Sequence, residues 1–329
     1  MMTMQRLLFS VFSIVLVSDA ISADITRIHN HSSAGFADRE TAVEQLTRRD
    51  QYVQAMSRFD RQCRLQSDDD VSVDEYLEFV SKHVLEWNAD EVNAIKAVLA
   101  AVHEKCRPYT LPLPDQVLFV KTDGKEEGGA AYCRGNAVVL PARRVAVSQE
   151  RLERLVLHEL FHVLSSHNPE LRQQLYSTIG FEICEEIPLP PSLSKRKLTN
   201  PDAPLINCVT SLTQDGEEIT VTPILFASHE KYESRFGGPF FKFLEFKLMV
   251  VAEKEMKWKP LQVHGGPVLL EPDRTPGYFK NIGRNTRYII HPDEILADNF
   301  VHLILKSEDL KTPEIVDQMR RILIRDTGK

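Results

Sequence analysis

The chain has 329 residues, 43% hydrophobic, 26% charged and 8% aromatic. These are ordinary globular values, and they exclude collagen-like, low-complexity and wholly disordered classes. A formal charge of −7 excludes a nucleic-acid binder, which needs a basic face to neutralise phosphates.

The N-terminus has the three-part pattern of a secretory signal peptide. Met1 to Arg6 carries one positive charge, Leu7 to Val17 is largely apolar, and Ser18-Asp19-Ala20 or Ala20-Ile21-Ser22 offers small residues at a cleavage point. The apolar run is short for a bilayer span, and no later stretch reaches about 18 uninterrupted apolar residues. Residues 1–23 are therefore read as a signal peptide. The expected product is secreted or periplasmic, with no membrane attachment after cleavage; an uncleaved anchor or a buried first helix is the alternative. Export permits disulfides. Of the five cysteines, Cys184 and Cys208 flank one Pro-rich loop and Cys63 and Cys106 bracket a helical stretch. These two pairings are the expectation, leaving Cys133 over, against the alternative that all five are reduced and buried.

Residues 24–110 read as a helical N-terminal region. Residues 24–37 are polar and extended, and 38–64 has a helical pattern. The acidic run Asp68-Asp69-Asp70 lacks the spaced ligands and glycine of a calcium loop and reads as a solvated linker. Ser72 with Glu75, and Asn88 with Glu91, are capping-box pairs that open helices running to about Trp87 and to about Lys105. These helices read as a prodomain, a packing layer or a partner surface. From residue 111 to 329 the character changes. Gln116–Lys121 and Ala131–Leu140 read as the two strands of a hairpin across a glycine-rich turn. Ser148 opens a helix to about Ser166, and Asn168-Pro169 opens another ending near Gly180. Cys208–Leu212 and Ile219–Ala227 flank Asp215-Gly216 as a second hairpin. Phe240–Val251 adds a strand, and helices return at Pro292–Lys306 and after Thr312-Pro313.

The chemistry sits in two short segments. His158-Glu159-Leu160-Phe161-His162 is an HExxH inside an apolar helical stretch. Positions i and i+4 share a helix face, so both imidazoles reach one tetrahedral zinc, with Glu159 beside them to accept a proton from water. Zinc needs a third protein ligand. In His291-Pro292-Asp293-Glu294-Ile295-Leu296-Ala297-Asp298, Glu294 and Asp298 are again i and i+4. A glutamate there can bind zinc while the aspartate holds a ligand histidine by its free ring N–H. Asp293 reads as a first-turn acid favouring the helix N-terminus, and His167 as solvent-facing. His264 and His291 are alternative ligands.

HExxH followed by a helix-borne ExxxD resembles the glutamate-zincin (gluzincin) metallopeptidases, the thermolysin-like clan. The resemblance implies an α+β, zincin-like catalytic domain with a central HExxH helix. It implies one zinc ion bound by His158, His162 and Glu294, with Glu159 as general base and Asp298 orienting His158. The chain departs from the thermolysin pattern in one respect: Glu294 follows His162 by 132 residues, so the 168–290 insert must fold back. Zincins run an edge strand along the substrate just upstream of the HExxH helix, a place taken here by Ala131–Leu140, whose backbone can pair with an extended peptide. For the oxyanion, Tyr288 is the first candidate donor and His291 the second. The expected function is an exported zinc metallopeptidase acting on a peptide or protein. The alternatives are a catalytically silent envelope binding module, against which the intact Glu159 argues, and a secreted effector protease with one target.

Overall fold

The computed structural model describes residues 26–324; the signal segment predicted at 1–23 lies outside them. Strands β1 (Thr26–His29) and β2 (Ser32–Phe36) lead into helices α1 (Arg39–Leu46), α2 (Gln51–Ala55), α3 (Arg58–Leu65) and α4 (Val73–Lys82). Next come β3 (Val84–Leu85), α5 (Ala89–Cys106), β4 (Gln116–Thr122), β5 (Tyr132–Arg134), β6 (Ala137–Pro141) and α6 (Ala142–Val145). Helices α7 (Gln149–His167) and α8 (Pro169–Ser177) are followed by β7 (Phe181–Ile183), α9 (Pro191–Ser194), β8 (Cys208–Gln214), β9 (Glu217–Ala227) and β10 (Leu244–Lys254). Short strands β11 (Lys257–Pro260), β12 (Gln262–Val263), β13 (Gly266–Pro267) and β14 (Leu269–Leu270) precede α10 (Pro276–Ile282), α11 (Pro292–Leu305) and α12 (Pro313–Leu323). The fold is mixed α+β. Among the described residues no helix is long and apolar enough to cross a membrane.

Both capping boxes form, with Ser72 and Glu75 closing the start of α4 and Asn88 and Glu91 that of α5. The helix expected over 38–64 is instead three short ones. The Asp50 side chain accepts from Val53 N and the Ser57 side chain from Asp60 N. These side chains offer the backbone local partners that restart the helix each time. Helix α4 ends at Lys82 rather than near Trp87, because the chain turns there into β3.

The first sheet runs β1-β2-β4-β6-β5, with β3 on β4. Here the expected hairpin is corrected. Strand β4 pairs parallel with β6 (Leu118↔Ala137 to Thr122↔Pro141), and the hairpin lies within 131–141, between β5 and β6. The period-2 pattern of both strands accounts for this. Val117, Phe119, Val138 and Leu140 face the main core with α5, α7 and α11, while Val120, Val139 and Ala137 face Leu46, Tyr52, Tyr76 and Val80 of α1, α2 and α4. A sheet buried on both faces suits parallel strands. The N-terminal helices are thus a packing layer over the sheet. The second sheet, β11-β10-β9-β8-β7, is antiparallel and contains the hairpin expected across Asp215-Gly216 (Gln214↔Glu217).

All five cysteines are free thiols, which corrects the expected pairings. Cys63 packs with Phe59, Tyr232 and Phe243, whereas Cys106 lies in the main core. Cys184 lies just after β7, whose Ile183 pairs with Cys208 of β8, and the Cys208 thiol lies 3.7 Å from His291 Nε2.

A buried ionic cluster ties α3 to the rest. Arg64 pairs with Asp60 and with Glu127 (Nη2 to Oε1 2.6 Å, Nε to Oε2 3.1 Å), Tyr52 donates to Glu127 Oε2 at 2.7 Å, and Arg64 Nη2 donates to Thr199 O at 3.1 Å. Removing one partner of such a cluster leaves an uncompensated buried charge. Arg64→Met is therefore expected to cost about 3–5 kcal/mol, read as a lowered urea midpoint.

Beside this cluster, Glu126 is fully buried. Thr122 Oγ1 donates to its Oε1 at 2.6 Å, while Oε2 has no partner. Burial pushes its carboxyl up to about 7. The folded chain therefore holds more protons than the unfolded one between the ordinary glutamate value and pH 7, and stability falls as pH rises through that window. Glu126→Gln is expected to be neutral near pH 4.5 and stabilising by about 2–3 kcal/mol at pH 8, measured by urea unfolding at both pH values.

Candidate metal centre

Helix α7 is apolar for most of its circumference, burying Leu152, Val156, Leu157, Leu160, Phe161 and Leu164, and α11 does likewise with Ile295, Leu296, Phe300 and Leu303. The two pack against each other through Phe161 and Phe300, whose ring centroids are 5.6 Å apart. The packing turns the polar stripe of each helix towards the other. Among the described residues, His158, His162 and Glu294 form one group of donor atoms all within 4.8 Å of one another.

Each histidine is oriented by its own carboxylate. His158 Nδ1 donates to Asp298 Oδ1 at 3.1 Å, and Thr286 Oγ1 donates to the other oxygen of Asp298. His162 Nδ1 donates to Asp293 Oδ2 at 2.7 Å. Asp293 lies in the first turn of α11 as expected, but it is buried and does more than favour the helix N-terminus. Its Oδ1 accepts from Ser165 Oγ at 2.5 Å and Tyr176 OH at 2.9 Å, with Arg172 Nε at 3.6 Å. With both Nδ1 atoms engaged, both Nε2 atoms turn towards Glu294 Oε2, at 3.1 Å from His158 and 3.4 Å from His162. His162 Nε2 is buried without a hydrogen-bond partner. An orphaned imidazole nitrogen beside a buried carboxylate fits a divalent cation, and N₂O is a donor set that zinc accepts.

The local electrostatics follow from this crowding. Burial opposes charge on His158, but the hydrogen bonds to Asp298 and Glu294 outweigh it and carry the ring up to about 10. Burial likewise opposes ionisation of Glu294; the nearby His162 charge and the hydrogen bond from His158 overcome it and hold the carboxyl well below its usual range. Glu159, beside the cluster and buried, is raised by desolvation against the opposing charges of His158 and His162.

Tyr288 is exposed, and its ring stacks on His158 with centroids 6.1 Å apart and planes inclined by 21°. His291 does not reach the centre. It is buried at the N-cap of α11, where Nδ1 accepts from Asp293 N at 3.2 Å, and burial pushes its pKa down to about 4. His264 is exposed in the β12–β13 turn, so neither alternative ligand, His264 or His291, lies with the cluster; His167 is exposed at the end of α7, as expected.

Other contributors carried no sequence signal. Asn200 Nδ2 donates to Glu294 Oε1 at 2.6 Å, leaving Oε2 to face the histidines. Cys133, Glu159 and Asp202 form a second close group of donors, knit by internal bonds. Cys133 N donates to Asp202 Oδ1 at 2.6 Å, and the Cys133 thiol lies 3.4 Å from Glu159 Oε2. Strand β5, which carries Cys133, is the sheet edge nearest α7. His158, Glu159, Glu294, Asp298, Tyr288 and Asp202 all border one open cleft of about 700 Å³. No family model, curated protein or solved structure matches the chain.

Zinc titrated into metal-free protein is expected to bind once per chain. Losing a carboxylate that orients a ligand histidine typically weakens metal affinity about 10–100-fold. Asp298→Ala should fall in that range, Asp298→Asn should be milder because its oxygen still accepts the ring N–H, and Glu294→Ala should be worse than either. Competition with chelators of graded affinity measures the order.

Proposed function

We propose that the protein is an exported, zinc-dependent peptidase. The observation that supports this reading is the convergence of both histidine Nε2 atoms on one Glu294 oxygen, each ring held from behind by a separate carboxylate, with Glu159 alongside at the wall of an open cleft. Zinc held by His158, His162 and Glu294 would supply a Lewis acid that polarises a carbonyl and lowers the pKa of water to near neutrality.

The chain's own residues do the rest. Glu159 takes a proton from the attacking water and passes it to the departing amine, a task suited to a carboxyl raised by burial. Asp298 and Asp293 fix the two rings and keep Nε2 of each free for the metal. Asn200 pins the far oxygen of Glu294. Tyr288, stacked on His158 at the cleft, is the side chain set to donate to the oxyanion. An extended peptide lies along the edge of β5, where it takes over the Cys133 N–H that Asp202 holds in its absence. Residues 1–23, read as a signal peptide, make the enzyme secreted or periplasmic.

Glu159→Gln keeps the shape of the side chain and removes the base. It is expected to bind zinc with unchanged stoichiometry and to melt at the wild-type temperature, while peptide hydrolysis falls about 10²–10⁴-fold. A quenched-fluorescent peptide library, with metal analysis of the same samples, checks both halves. Turnover at the wild-type rate in the variant would rule out this chemistry.

A further inference from the structure

The cleft has a second chemical character away from the metal ligands. Arg151, Arg154 and Leu155 precede His158 by seven, four and three residues on α7, which places them on the same helix face. All three border the same cleft, as does Arg144 just before α7. The arginines are exposed. Among the described residues, no carboxylate lies within ion-pair distance of Arg144, Arg151 or Arg154. Of the acidic residues beside them on the helix, Glu153 is buried on another face and paired with Lys105, and Glu150 is exposed and forms no ion pair with Arg151 or Arg154. Arg144 Nε donates to Gly129 O at 3.1 Å, which leaves its terminal nitrogens to the cleft. In a chain of net charge −7, three unpaired guanidiniums along one wall are not a by-product of a basic composition.

Glu159, Asp202, Glu294 and Asp298 crowd around the candidate metal position, whereas Arg154 and Arg151 stand about 6 and 10 Å from His158 along the helix axis. An extended peptide advances about 3.3 Å per residue. A chain whose reacting carbonyl lies at the metal centre therefore brings a residue two to four places away under the arginines. The guanidinium fork matches a carboxylate in two parallel hydrogen bonds.

We propose that this arginine wall selects substrates carrying a carboxylate two to four residues to one side of the scissile bond, from an acidic side chain or from a free chain end. The inference rests on the peptidase reading of the metal centre, and its test uses binding as well as cleavage. Three N-acetylated decapeptides of one backbone sequence serve as probes: one with a Glu-Glu pair and an amidated end, one with Gln-Gln and an amidated end, and one with Gln-Gln and a free carboxyl end. Their affinity for full-length Glu159→Gln protein is measured by isothermal titration at low and high salt.

The Glu-Glu or the free-carboxyl peptide is expected to bind about tenfold more tightly than the neutral one, up to about fivefold per arginine engaged. Which of the two it is identifies the source of the carboxylate. The advantage should shrink at high salt. In the Arg151→Gln/Arg154→Gln double variant it should fall to within about twofold of the neutral peptide, whose own affinity stays unchanged. Arg151→Lys/Arg154→Lys keeps the charge without the fork and should lie between. Both sites are exposed, and thermal unfolding of each variant confirms that the fold is retained. Equal binding of the three peptides, no binding of any, or a preference that survives the double Gln variant would overturn the proposal. Hydrolysis of neutral and acidic library members alike by the wild type would sink the arginine wall and leave the peptidase standing; carboxylate-selective binding without any hydrolysis would do the reverse.

Discussion

Everything at the centre depends on one crossing, that of α7 and α11, which brings together side chains 136 residues apart in the chain. The crossing is held by apolar contacts around Phe161 and Phe300 and by the core residues on either side of them. It has to be strong, because it buries two histidines and two carboxylates, Glu294 and Asp293, in one place. Such groups are costly to desolvate unless each finds a partner. The helices run antiparallel at the site, so that the earlier histidine meets the later aspartate, His158 with Asp298, and the later histidine meets the earlier one, His162 with Asp293. Glu294 falls between them. The geometry leaves one oxygen of Glu294 and one nitrogen of each ring unclaimed by second partners, and it is these atoms that converge.

The centre is also tied to the N-terminal helices, through the 199–202 segment. Arg64 of α3 holds the Thr199 carbonyl, and Asp60 accepts from Thr199 N at 3.0 Å. One residue on, Asn200 grips Glu294; two further on, Asp202 holds the β5 edge at Cys133. A buried salt-bridge cluster is poor evidence for net stability, but it fixes a register well. Here it sets the position of a loop whose side chains reach Glu294. The packing layer of α1 to α4 therefore orders part of the site wall as well as covering a sheet.

The parts that were legible in the sequence are those with a short-range signature. HExxH and ExxxD announce themselves by a single helical turn. The capping boxes at Ser72 and Asn88 and the hairpin at Asp215-Gly216 are likewise local, and they form as read. What was not legible was decided at long range. Whether β4 joins β6 in parallel or as a hairpin depends on which faces find cover, and that cover comes from helices about 40 to 80 residues upstream of β4. The free thiols of Cys63 and Cys106 reflect membership of two different cores, which no spacing rule encodes. Asp293 is a first-turn acid, and that ready local explanation hid its bond to His162. Only the antiparallel crossing, which sends Asp293, five residues before Asp298, towards His162, gives it a second role. Asn200 and Asp202 sit in a Pro-rich loop with no periodicity at all.

Asp202 occupies the position of an added strand's carbonyl. Strand β5 is an edge, and the backbone donor it turns outward at Cys133 is the group an added strand would use. Asp202 fills that donor with a carboxylate oxygen, in the role a peptide carbonyl would play. Asn200, two residues earlier, holds a different oxygen of Glu294 from the one facing the histidines. The two contacts are separable: a strand can replace Asp202 at the edge by a side-chain rotation while Asn200 keeps Glu294 aligned. In the peptidase reading the loop thus serves two states with one anchor. Burial, and then the charges of Glu159 and Glu294 against that of His162, push the Asp202 carboxyl well above its usual range, and a protonated carboxyl accepts more weakly than a carboxylate, which favours exchange for a peptide carbonyl.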